Sequence, residues 1–263
     1  MIFQAVVELE KNNEPGALCI VVHTSGSTPR QAASKMLVYA DGSIFGTIGG
    51  GEMESRVIAE ALHAIREGKP RLIEYNIADP QRGDPGVCGG QMEVYVEPIL
   101  PQSELIVIGC GHVGKAVVHL AKWLGFRVMV SDDRLELCTP EAIPEADGYY
   151  PVSAEDLAQQ VKIKPWTGLV LTTRSVDVDV PALSALLNTP AGYIGVIGSR
   201  RRWEITRQKL AELGVSEENL ARVHSPIGLD LGGETPQEIA LSIMAEVLLE
   251  QKGKDARAKK PSE

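Results

Sequence analysis

The sequence predicts an α/β chain in which a C-terminal Rossmann-like, doubly wound parallel sheet follows a smaller N-terminal α+β domain. Three observations predict it. Beyond residue 104, short apolar runs at 105–108, 127–130, 168–171 and 193–197 alternate with helical segments. Their Val, Ile and Leu fall on both parities, as strands covered on both faces require. The first run leads straight into Gly109, Gly111 and Gly114, a G-x-G-x-x-G that opens a helix. The first hundred residues instead show alternating strands and a turn at Asp41-Gly42, as expected of antiparallel hairpins.

Taken in order, the periodicity predicts a helix over 2–10, a strand over 17–24, and a hairpin of 35–40 with 43–48. An amphipathic helix follows over Gly51–Glu67, stopped by Gly68 and Pro70. Strands at 71–77 and 91–97 flank a Gly-rich loop, and Pro98 and Pro101 mark a linker. The N-terminal domain is thus set at 1–100 and the Rossmann-like domain at 104–251. In the second half, helices are expected over 112–124, 154–160, 180–187, 200–213 and 236–250. The tail, 252–263, is polar and charged and is expected to be disordered.

Composition narrows the function. The 263 residues are 44% hydrophobic and 23% charged, which is ordinary for a globular protein. The net charge of −9 argues against nucleic acid and anionic membrane as partners. With no basic leader and no apolar stretch of about 18 residues, a cytoplasmic location is expected. Cys19, Cys88, Cys110 and Cys138 lack C-x-x-C spacing, so neither a zinc site nor a disulfide framework is expected.

The glycine motif carries the most specific chemistry. Gly109 allows the tight turn, Gly111 lets backbone approach a pyrophosphate, and Gly114 lets helix and strand pack closely. Asp132 and Asp133 end the next strand at about the 20-residue offset where an acid takes a ribose hydroxyl. His112, inside the loop, could meet a phosphate or simply face water. A second anion site is read at Gly198-Ser199-Arg200-Arg201-Arg202, where cations begin a helix whose own dipole disfavours them. Gly49, Gly50 and Gly51 could offer bare N–H groups to another anion. Cys88, between flexible residues, is a candidate functional thiol. His224, Ser225 and Asp230 have the composition of a hydrolytic triad but no nucleophile elbow, and no catalytic residue is assigned.

Assembled, these segments resemble the XdhC/CoxI family of molybdoenzyme accessory proteins over nearly the whole chain. The matching stretches are HTSGSTPR with SKM, GTIGGG with Glu54, CGG with EVYVEP, GCGHVG with SDDR, and YIGVIGSRRR through HSPIGLDLGGETPQEIALSI. The resemblance implies a protein that binds molybdenum cofactor (molybdopterin) and promotes its maturation and insertion into xanthine dehydrogenase-like or carbon monoxide dehydrogenase-like enzymes. It implies Cys88 as the ligand to metal or dithiolene, a molybdoenzyme client, and a cysteine desulfurase as a further partner. Glu52 and Val176 stand where relatives often have Cys and His. A homodimer is expected only because dimers are common. The alternative is an NAD(P)-dependent oxidoreductase, with NAD(P) or another nucleotide in the Rossmann domain.

Overall fold

The computed structural model describes residues 1–76 and 90–252. The chain divides into two compact units, Met1–Gln102 and Ser103–Glu263.

The first unit begins with α1 (Ile2–Lys11), then β1 (Gly16–Ser25), β2 (Lys35–Tyr39) and β3 (Ile44–Gly46). Helix α2 (Gly51–Glu67), β4 (Arg71–Asn76) and β5 (Gln91–Ile99) complete it. The strands form one antiparallel sheet in the order β3-β2-β1-β5-β4. Met53, Val57, Ala61 and Ala64 of α2 lie one helical turn apart and pack on Ala17, Cys19, Val21, Val94 and Val96. Gly68 ends the helix at φ 66°, a left-handed cap that glycine adopts without strain.

Pro98, read from the sequence as linker, lies inside β5 and pairs with Ala17. A proline is tolerated there because β4 pairs with β5 only as far as Val96, leaving one side of the strand without a ladder to satisfy.

The second unit holds β6 (Glu104–Ile108), α3 (His112–Trp123), β7 (Arg127–Ser131), β8 (Gly148–Tyr150), α4 (Ala154–Gln160) and β9 (Thr167–Leu171). It continues with α5 (Val176–Leu186), β10 (Tyr193–Val196), α6 (Arg200–Glu212), α7 (Glu217–Leu220), β11 (Val223–His224) and α8 (Pro236–Lys252). Six parallel strands run in the order β11-β10-β9-β6-β7-β8. The sheet is therefore built outward from β6 through β7 and β8 and then from the other side of β6 through β9, so β6 and β9 flank the switch point where open α/β sheets bind ligands. Alternate residues of each strand feed two cores. Leu105, Val107, Val128, Val130 and Val170 meet α3 and α8, and Ile106, Ile108, Met129, Leu169 and Leu171 meet α4, α5 and α6.

Helix α5 starts at Val176, a turn earlier than the sequence pattern places it, and Pro181 sits inside it. The missing N–H leaves only the carbonyl of Asp177, at the exposed start of the helix, without its intrahelical donor. Strands β8 and β11 are too short for periodicity to reveal. Among the described residues no helix is long and apolar enough to cross a membrane. Of the tail read as disordered, Lys252 ends α8 and residues 253–263 lie outside the described residues.

Candidate nucleotide and anion site

Three glycines shape the β6–α3 turn. Gly109 has φ 108°, and a Cβ there would stand 2.7 Å from the carbonyl oxygen of Thr172 at the end of β9. A Cβ on Gly114 would come within 1.9 Å of the Gly109 carbonyl oxygen, so glycine is what lets α3 start so close to the strand. Around Gly111, the N-cap of α3, a Cβ would meet nothing within 4 Å. The first-turn N–H groups of a helix have no intrahelical acceptor, a setting suited to an anion. Thr172 Oγ1 donates to Gly109 O at 2.6 Å and ties the turn to β9. His112 is exposed at the first position of α3.

A cleft of about 390 Å³ opens at the carboxyl ends of β6, β7 and β9. Gly109, Asp132, Asp133, Arg134 and Arg174 line it, and Ile108, Val178, Pro181 and Ala182 give it an apolar wall. The two aspartates behave differently. Asp132 is buried, and its carboxylate accepts from the Cys110 N–H at 2.6 Å, from the Arg134 N–H at 2.9 Å and from the Arg134 guanidinium at 2.9 and 2.8 Å. Burial works to raise its pKa, but these donors outweigh it and the net shift is downward. Asp133 is more open and pairs side-on with the Arg174 guanidinium at 2.7 and 2.6 Å, which holds it down to about 2. Of the pair, Asp133 has the carboxylate that a ligand can reach, at the cost of exchanging Arg174.

Sequence reading missed Arg134 and Arg174. A signal existed: each lies three residues past the end of a strand, β7 or β9, whose carboxyl end opens on the cleft, and Arg134 adjoins the aspartate pair.

The second basic cluster splits. Ser199 caps α6, its hydroxyl accepting the Arg202 N–H at 3.2 Å. Arg200 and Arg201 are exposed. Arg202 turns inward, donating to both carboxylate oxygens of the fully buried Asp179 at 2.8 and 2.9 Å and to the Thr173 carbonyl. It is a structural tie between α5, α6 and the β9 end.

In the first unit, Gly49, Gly50 and Gly51 all take positive φ, at 142°, 77° and 71°. One oxygen of Glu54 accepts from the Thr47 hydroxyl and from the Ile48 and Gly50 N–H groups at 3.1 and 3.3 Å. Of the three glycines read from the sequence as an anion cradle, Gly50 thus donates to the chain's own carboxylate and Gly49 to the Thr47 hydroxyl at 3.1 Å. Cys88 lies outside the described residues. His224 pairs with Glu246 of α8 at 2.8 Å instead of with Asp230, so the triad suggested by composition does not assemble. Among the described residues no group of three or more His, Cys, Asp or Glu could hold a metal ion.

Strand order, glycine turn and cleft define a Rossmann-type unit in a chain that also carries an antiparallel α+β unit. The XdhC Rossmann-domain model matches residues 105–247, and the XdhC and CoxI family model matches residues 9–76. The chain belongs to the XdhC and CoxI family.

It is 40% identical over 252 residues to YqeB of Escherichia coli (strain K12), covering 94% of this chain and 46% of that protein. It is 30% identical over 159 residues to a probable xanthine dehydrogenase subunit of Bacillus subtilis (strain 168), covering 60% of this chain and 46% of that one. The chain spans about half the length of these two relatives. It is 25% identical over 280 residues to the molybdenum cofactor insertion chaperone PaoD of E. coli (strain K12), covering 94% of this chain and 86% of PaoD. A solved xanthine dehydrogenase from Bacillus halodurans shares the fold, with TM-score 0.52, 21% identity, and coverage of 98% of this chain and 97% of that one.

Proposed function

We propose that the chain is a cytoplasmic accessory protein that binds molybdenum cofactor and promotes its maturation and insertion into a xanthine dehydrogenase-like or carbon monoxide dehydrogenase-like enzyme. The observation that carries this reading is the likeness to PaoD along 94% of the chain. The chemistry of the site supports it. The cargo is a phosphate-bearing pterin dithiolene, and Gly111 opens a helix start whose N–H groups suit a phosphate. Arg174 lines the adjoining cleft, and Arg200 and Arg201 are exposed at the start of α6. Cys88 is the proposed thiol for the metal or dithiolene.

Strand order and the cleft beyond β7 favour a second element in this reading. The Rossmann-type unit would hold a nucleotide, either a nucleotide-bearing form of the cofactor or NAD(P), with its ribose against Asp133.

The test is anaerobic incubation of the full chain with molybdenum cofactor, then gel filtration and molybdenum analysis, beside Cys88→Ala, Arg174→Ala and Arg200→Ala. NAD(H) and NADP(H) binding is measured in parallel. Stoichiometric molybdenum, reduced in the variants, is the expected result. Tight nicotinamide binding and turnover without retained molybdenum would overturn it and make the chain an oxidoreductase.

A further inference from the structure

In a Rossmann unit the acid that ends the second strand is the one expected to take a ribose hydroxyl. Here that acid, Asp132, is saturated. It directly follows β7, with a side chain 2% exposed. One oxygen accepts the Arg134 N–H and Nε–H, both at 2.9 Å; the other accepts the Cys110 N–H at 2.6 Å and Arg134 Nη2 at 2.8 Å. A carboxylate offers about four lone-pair positions, and these donors take them all.

Asp133 is placed differently. Each of its oxygens accepts one N–H from Arg174, at 2.7 and 2.6 Å, and the two side chains are 40% and 49% exposed on the lining of the cleft. A ribose with free 2′ and 3′ hydroxyls brings two O–H donors that can replace those N–H groups, donor for donor. A 2′-phosphate is a dianion above a second pKa of about 6 and brings acceptors alone. It takes Arg174 only by leaving Asp133 without that donor, beside a like charge. Arg134 is no substitute, because drawing it away strands the buried carboxylate of Asp132. Glu155 and Asp177 bring the lining to four carboxylates against two guanidiniums, which repels a further dianion even with Lys209 3.5 Å from Asp177.

We propose that Asp133, paired with Arg174, selects the ribose: the cleft takes a nucleotide whose 2′ and 3′ hydroxyls are both free and rejects one phosphorylated at the 2′ position. Asp133 accepts from the diol, while Asp132 keeps the glycine turn tied to the end of β7 through the Cys110 N–H. This selection rests on the nucleotide proposed above for the Rossmann-type unit. It narrows that ligand to the class with an unphosphorylated ribose, to which NAD belongs and NADP does not.

The experiment is calorimetric titration of the full chain at about pH 8, where a 2′-phosphate is fully ionised. The probes are adenosine and cytidine 5′-diphosphates, each beside its 2′-deoxy and its 2′-phosphorylated counterpart. The native chain should hold the ribonucleotide of the preferred base about tenfold to a hundredfold tighter than the 2′-phosphorylated form, and more tightly than the 2′-deoxy form. Asp133→Ala should erase the 2′-deoxy discrimination and, by releasing Arg174, strengthen binding of the 2′-phosphorylated form. Adding Arg174→Ala to that variant should abolish the gain. Equal or tighter binding of the 2′-phosphorylated form by the native chain, or a preference that survives Asp133→Ala, would overturn the proposal. If the native chain binds neither diphosphate, the nucleotide reading itself falls, an outcome distinct from binding with the opposite preference. The native comparison needs no substitution, so a poorly folding variant does not obscure it.

Discussion

Arg200, Arg201 and Arg202 occupy one helical turn, and their surroundings give them different work. Arg202 has a side chain 20% exposed and answers a carboxylate that is fully buried. Arg202→Ala strands Asp179 without its countercharge and should cost about 3–5 kcal/mol, read as a lowered denaturation midpoint. Arg200→Ala should leave that midpoint within about 0.5 kcal/mol. His224 offers a pH signature. Its pKa is raised by the hydrogen bond to Glu246, against its partial burial. The stability this adds is complete below the unfolded value near 6.5 and is lost as pH rises through the elevated one. Thermal unfolding from pH 6 to pH 9 should therefore decline more steeply for the native chain than for His224→Gln.

At the level of elements, the β6–α3 turn is the most tightly specified piece of the second unit. Gly114→Ala would drive a methyl into the Gly109 carbonyl, so α3 must shift away from β6 and both stability and anion binding should fall. Calorimetry and a phosphate titration check this. The turn was legible in the sequence because each glycine meets a different backbone demand, and those demands recur wherever strand, turn and helix meet this way. Helix α2 was legible to the residue, bounded by Gly50 and Gly68. The start of α5 was not, since Pro181 reads locally as a helix opening while Ser175 takes that place through tertiary packing. Partnerships across the fold escaped reading for a related reason. That Arg174 reaches Asp133 and that Arg202 reaches Asp179 depend on chain segments brought together by packing on the sheet. Glu54 is a local case: Glu54→Ala should free the Thr47 hydroxyl and the Ile48 and Gly50 N–H groups and cost about 1–3 kcal/mol in unfolding free energy.

Across the whole molecule, each unit owns its cores: one under α2 in the first, two flanking the parallel sheet in the second. A fragment covering 103–252 should accordingly fold alone, with cooperative unfolding and helical circular dichroism; a non-cooperative melt would show that it needs the first hundred residues. The chain carries −9 overall, and within the cleft the charges of Arg134 and Arg174 are met by those of Asp132 and Asp133. The cleft thus projects little positive field of its own beyond the surface. A phosphate-bearing ligand approaches against the field of the whole chain, and its association rate should climb as ionic strength screens that repulsion, the reverse of an electrostatically steered encounter.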